Sequence, residues 1–160
     1  MKKENMNNKG FSLVELIIVI AIMAILIVVL APQYLKYVER SRNSTDMQNA
    51  RTLMTAVETY AADPQSTKVL DTNFDITITT AGGTNNTLTD TSGAVDQAIK
   101  DAGLTLGDIK CSSKTAWASY KLKGKVEDHG GITWTFESYP SGSTTDNGNL
   151  SNAMKGKATT

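Results

Sequence analysis

Residues 10–32 read GFSLVELIIVIAIMAILIVVLAP, and this stretch decides the architecture of the chain. Between Phe11 and Ala31 only Ser12 and Glu15 carry polar side chains. As a helix rising ~1.5 Å per residue the stretch reaches roughly 30 Å, the thickness of a bilayer's hydrocarbon core. Lys2, Lys3 and Lys9 precede it. The positive-inside rule therefore keeps the N-terminus cytoplasmic and sends the remainder of the chain outward.

Three readings of the stretch compete. A removed secretory signal has a shorter apolar run and a small-residue cleavage site, and Leu30-Ala31-Pro32-Gln33 is a poor one. A plain anchor gains nothing from Glu15, because a carboxylate placed in hydrocarbon is costly. The third reading uses both oddities, the glycine at the polar border and the carboxylate four residues after Phe11. Cutting after Gly10 leaves an α-amine on Phe11 that is mostly cationic near neutral pH. Such an amine is a partner for the Glu15 carboxylate, and a buried charge is tolerated when it is paired. If the amine belongs to another copy, the pair sets axial register between stacked helices.

Outward from this stretch, Pro32 is expected to break or kink the helix, since proline removes a donor and crowds the preceding turn. The helical pattern resumes with Met47, Ala50, Leu53, Met54, Val57, Tyr60 and Ala61 on one face, and Asp63-Pro64 supplies the stop. The charged turn pair between them holds Glu39, Arg40, Arg42 and Asp46. It is either a solvated face or a set of pairing charges between copies. Four segments result: 1–10 a basic leader, 11–31 an apolar helix, 32–62 an amphipathic half of the same long helix, and 63–160 a head domain with a polar tail.

Within the head, 74–79 alternates as a strand, Ser92 stands where a cap belongs for a helix over 94–102, and 117–126 alternates into Asp128-His129-Gly130-Gly131. Ile132, Trp134 and Phe136 return on the apolar side, which predicts a hairpin. The alternation puts Ala118, Tyr120, Leu122 and Val126 on one face, with Trp117, Ser119, Lys121, Lys123 and Lys125 on the other. The expected fold is α+β, a long helix packed on a small antiparallel sheet of three or four strands. Residues 141–160 are rich in Ser, Thr, Gly and Asn and predict a surface loop with a mobile end.

Composition narrows the function classes. The 160 residues carry 16 basic and 16 acidic side chains, so there is no overall cationic footprint for nucleic acid. The lysine face of residues 121–125 leaves contact with an acidic polymer open. The chain has one cysteine, Cys111, and one histidine, His129, too few for a cysteine-based zinc site or a histidine-paired relay. The acids Asp63, Asp71, Asp75, Asp90 and Asp96 are scattered rather than ordered as a Ca²⁺ loop. No metal, cofactor or enzymatic activity is expected.

The stretch Lys9–Pro32 closely resembles the N-terminus of type IV pilins and the related pseudopilins. The resemblance rests on the glycine border, the aromatic at 11, the carboxylate at 15 and the apolar run together. It implies cleavage after Gly10, N-methylation of Phe11, and assembly into a filament through Phe11 and Glu15. It also implies partners: other copies of the chain as a homopolymer, a prepilin peptidase, an assembly ATPase, a platform membrane protein, minor pilins, and the membrane before assembly. Motility, adhesion and biofilm formation are the family's usual outputs. The chain lacks the mid-helix glycine and the head disulfide common in pilins of diderm bacteria, and the missing disulfide resembles pilins of Gram-positive bacteria. A pseudopilin of a secretion or DNA-uptake apparatus and a membrane-tethered binding module are the rival readings.

Overall fold

The structure is a computed structural model and describes residues 12–156. The chain divides between Val38 and Glu39 into two compact units. Helix α1, Leu13–Ala62, contributes to both. In the first unit every residue from 12 to 37 is exposed. Leu13, Val28 and Leu30 are 73%, 75% and 59% exposed, which is how apolar residues stand when their solvent is lipid or other chains. The helix is assigned without interruption through Pro32.

The second unit holds the remainder of α1, followed by β1 (Asn73–Thr79), a 3-10 turn (Gly83–Asn85), β2 (Thr87–Thr89) and α2 (Ala94–Asp101). A second 3-10 turn (Leu106–Asp108), β3 (Ser119–Val126), β4 (Ile132–Tyr139) and α3 (Asn149–Met154) complete it. The strands form one antiparallel sheet in the order β2-β1-β3-β4. The expected α+β architecture is the observed one.

One face of the sheet presents Phe74, Ile76, Ile78, Tyr120 and Leu122, all buried, and Ala50, Leu53, Val57 and Tyr60 of α1 belong to the same core. Spacings of three and four residues place those helix positions on one stripe. Of the other stripe residues expected from the sequence, Met47 and Met54 are half-buried and Ala61 is exposed, while Ala56 is buried in its place. Gly124 lies opposite Phe74 in the β1–β3 register because the ring needs its space. A Cβ there would sit 2.2 Å from the Phe74 ring, which instead packs edge-on against Trp134 at 5.5 Å between centroids.

Four local expectations need correction. Trp117 is not on the lysine face but is buried, because β3 begins at Ser119 and the alternating pattern does not extend back to 117. The loop after β1 contains β2, which pairs Thr87–Thr89 with Thr77–Asp75. The helix expected over 94–102 ends at Asp101, with Ala102 as its C-cap. The polar segment 141–160 contains α3, fixed by a fully buried Leu150.

Candidate functional site

Glu15 caps its own helix. The Ser12 N–H donates to Glu15 Oε2 at 2.9 Å, and the Val14 N–H donates to Ser12 Oγ at 3.3 Å. This is a variant of the capping box: the glutamate reaches back to the serine N–H, while the serine hydroxyl takes the N–H of the second helical residue rather than the third. The S-x-x-E spacing at 12–15 is the sequence signal for it. Gly10 and Phe11, the expected cleavage and methylation positions, lie outside the described residues. Among the described residues no side chain distant in sequence reaches the Glu15 carboxylate.

The acids of the second half of α1 are treated differently. Glu39 and Asp46 are seven residues apart, two helical turns, and so share a face. The connection 111–117, Cys-Ser-Ser-Lys-Thr-Ala-Trp, wraps both carboxylates. Asp46 Oδ2 accepts from Trp117 Nε1 at 2.8 Å, from the Ser113 N–H at 2.9 Å and from the Cys111 thiol at 3.4 Å. Asp46 Oδ1 accepts from the Ser112 N–H at 2.7 Å. Its exposure is 0%, so the four donors replace water entirely. Glu39 Oε1 accepts from the Ser113 hydroxyl at 2.8 Å and the Lys114 and Thr115 N–H groups at 2.7 and 2.8 Å. Its other oxygen stands 3.5 Å from Arg42.

Burial alone would raise the Glu39 carboxyl. The donors Thr115 N–H, Lys114 N–H and Ser113 Oγ outweigh burial and hold it at about 2, against an ordinary 4.5. Burial first, and then the Asp46 charge, push the Cys111 thiol far up, so it stays protonated and serves as a donor. Glu39 and Asp46, expected either on a solvated face or as pairing charges between copies, accept these hydrogen bonds inside the chain. Sequence patterning carries no signal for this clasp, because its donors are mostly backbone groups some seventy positions away.

Arg40 is exposed and has no acid three or four residues to either side, where helical neighbours meet. On the sheet's outer face, Lys121 pairs with Asp75 at 3.6 Å, Lys123 with Glu137 at 2.6 Å, and Lys125 with Glu127 at 3.2 Å. Each lysine therefore faces a local acid, and the cationic strand face is a balanced ladder. His129 is exposed in the β3–β4 turn, and Cys111 is a buried free thiol.

Comparison with known proteins places the N-terminal stretch first. The family model described as "Prokaryotic N-terminal methylation motif" matches residues 5–31. Fimbrial protein EcpC of Eikenella corrodens is 32% identical over 130 residues, covering 79% of this chain and 80% of that protein. The chain belongs to the type IV pilin family. Type IV major fimbrial protein FimA of Dichelobacter nodosus is 43% identical over 60 residues, 38% of each chain. The fimbrial protein of Pseudomonas aeruginosa is 35% identical over 97 residues, covering 58% of this pilin and 60% of that relative. The chain thus spans well under half the length of FimA. No solved structure matches it significantly.

Proposed function

We propose that this pilin is the structural subunit of a type IV pilus, cleaved after Gly10, N-methylated at Phe11, and assembled through the apolar half of α1. The observation that carries the reading is an apolar helical stretch with no cover among the described residues, holding a single carboxylate within the matched methylation motif. In the membrane, lipid covers this surface. In a filament, copies of the same helix cover it. Glu15 then exchanges the Ser12 N–H for the cationic amine of Phe11 on another copy, which converts a helix cap into a register-setting ion pair. Pro32 is the position at which the helix bends or loosens as it leaves lipid.

The precursor sits in the cytoplasmic membrane with its N-terminus inside and its head outside. A prepilin peptidase processes it, an assembly ATPase and a platform membrane protein extract it, and minor pilins accompany it at the surface. Its role is structural rather than catalytic. Mass spectrometry of material sheared from the cell surface tests the reading. The expected product begins at Phe11 and is heavier by one methyl group. A product beginning at Met1, or cut after Ala31, overturns it.

A further inference from the structure

A groove of about 570 Å³ runs between the second half of α1 and α2. Its lining includes small residues, Ala56 and Ala98, and two threonines that do not offer their hydroxyls outward. Thr52 Oγ donates to the Gln48 carbonyl at 2.9 Å and Thr59 Oγ to the Thr55 carbonyl at 2.7 Å. With their hydroxyl protons so committed, Thr52 and Thr59 are small lining residues with no proton to donate into the groove. Asp63, Asp101 and Arg51 supply its charge, so two carboxylates face one guanidinium. None of the three is ion-paired among the described residues.

The complement of this groove lies on another part of the same sequence. Tyr34 and Tyr37 are 67% and 70% exposed, beyond the apolar run and without cover. Arg40 follows Tyr37 by three residues, so Tyr34, Tyr37 and Arg40 form one ridge along the helix. The clasp on Glu39 and Asp46 removes the acids of this region, which leaves Arg40 an exposed cation without a counterion among the described residues. One copy thus offers a threonine–alanine floor carrying one excess negative charge. Another offers two aromatic knobs and one excess positive charge.

We propose that the α1–α2 groove seats the Tyr34–Arg40 ridge of a second copy, with the tyrosine rings on the small-residue floor and Arg40 against Asp101 and Asp63. The inference rests on the filament reading above. The contact is heterologous, since groove and ridge are different surfaces, and contacts of that kind propagate into open helical assemblies rather than closing as dimers. It also gives directionality at a distance from the Glu15 site.

Charge reversal in cells that make the full chain tests the proposal, with the yield of sheared filament as the readout. Asp101→Arg and Arg40→Asp are each expected to lower the yield about tenfold, and their combination to return it to within about twofold of the parent, as a coupled pair does. Because Arg40→Asp stands next to the Glu39 clasp, a second measurement uses the conservative Arg40→Lys in assembled filaments treated with a carbodiimide. A covalent link from the new amine to Asp63 is expected in the dimer band. Positions 40 and 63 are roughly 34 Å apart along one helix, so a zero-length link between them joins two copies. Filaments that tolerate Asp101→Arg at full yield, or that form other lysine–carboxylate links but none from position 40 to Asp63 or Asp101, overturn the groove and leave the filament reading standing. Absence of filaments from the unmodified chain overturns both.

Discussion

Carboxylates on the first and second halves of α1 meet opposite fates. Glu15 stands among exposed apolar residues, and its recorded contact is the Ser12 N–H of its own first turn. Asp46, on the same helix, is fully buried and accepts four hydrogen bonds from the 111–117 connection. A carboxylate left with only a local cap remains available to an outside cation. One enclosed by four donors is committed, and withdrawing it would strand those donors in an apolar interior. The first half therefore leaves its carboxylate open, and the second commits its own to the head.

The sharpest way to break this comparison is Glu15→Val. Filament yield is expected to fall below detection in sheared fractions, because the proposed pair between Glu15 and the Phe11 amine of another copy is lost. The head is expected to keep its urea midpoint, since the recorded hydrogen bond of Glu15 lies in its own first turn. A fall in head stability, or normal filament yield, would mean that Glu15 is not the outward-facing acid of the pair.

Asp46→Ala reverses the pattern. Trp117 Nε1 and the N–H groups of Ser112 and Ser113 lose their acceptor in a buried setting, and each stranded donor costs on the order of 1–3 kcal/mol. Partial relaxation of the loop makes the expected total ~3 kcal/mol, read as a lower urea midpoint at constant m-value for the full chain in detergent. A change within the error of the midpoint would show that the clasp does not hold the head to α1.

The sequence made one side of this comparison far more legible than the other. Glu15 stands out because a lone charge in an apolar run of this length has no neutral explanation, and Asp63-Pro64 marks the end of α1 by local chemistry alone. The β3–β4 hairpin is legible from its alternation around a glycine turn. Asp46 gives no such cue, because its partners are two backbone N–H groups and two side-chain donors of a loop brought near only by the fold, and a charged run ordinarily lies in solvent. β2 has three residues, too few for alternation to register, and α3 has six, anchored by Leu150 within a Ser- and Asn-rich stretch. Trp117 misleads because an alternating pattern does not announce where its strand begins.

Glu39 allows a finer cut, through pH. Its folded carboxyl lies at about 2 against an ordinary 4.5, so the charged form is favoured by folding. A depressed acid contributes stability that is fully present above the unfolded value and is lost as pH falls from about 4.5 through about 2. Glu39→Gln keeps an acceptor for Ser113 Oγ and the loop N–H groups but removes the charge. The expected loss at pH 7 is ~1–2 kcal/mol, since charge-assisted hydrogen bonds are stronger than neutral ones. Parent and variant should converge near pH 2, and the difference curve isolates Glu39 from the other carboxylates. A constant gap across that window would assign the effect to packing instead.

The smallest expected effect sits near Asp46, the one charged side chain fully buried among the described residues. Tyr120 is fully buried on β3, and its hydroxyl has no hydrogen-bond partner among the described residues. Burial first, and then the Asp46 charge, push this phenol far up, so it remains neutral at any working pH. Although Asp46 lies near enough to act on it electrostatically, the carboxylate's acceptor capacity is taken by Trp117, Cys111, Ser112 and Ser113. Tyr120→Phe removes a buried polar atom that makes no bond, which is expected to leave stability unchanged or raise it by up to ~1 kcal/mol. Asp46→Ala and Tyr120→Phe both delete oxygen from one buried cluster, yet only the first strands donors. A loss of more than ~1 kcal/mol in Tyr120→Phe would place the hydroxyl inside the clasp and make the Asp46 network one member larger.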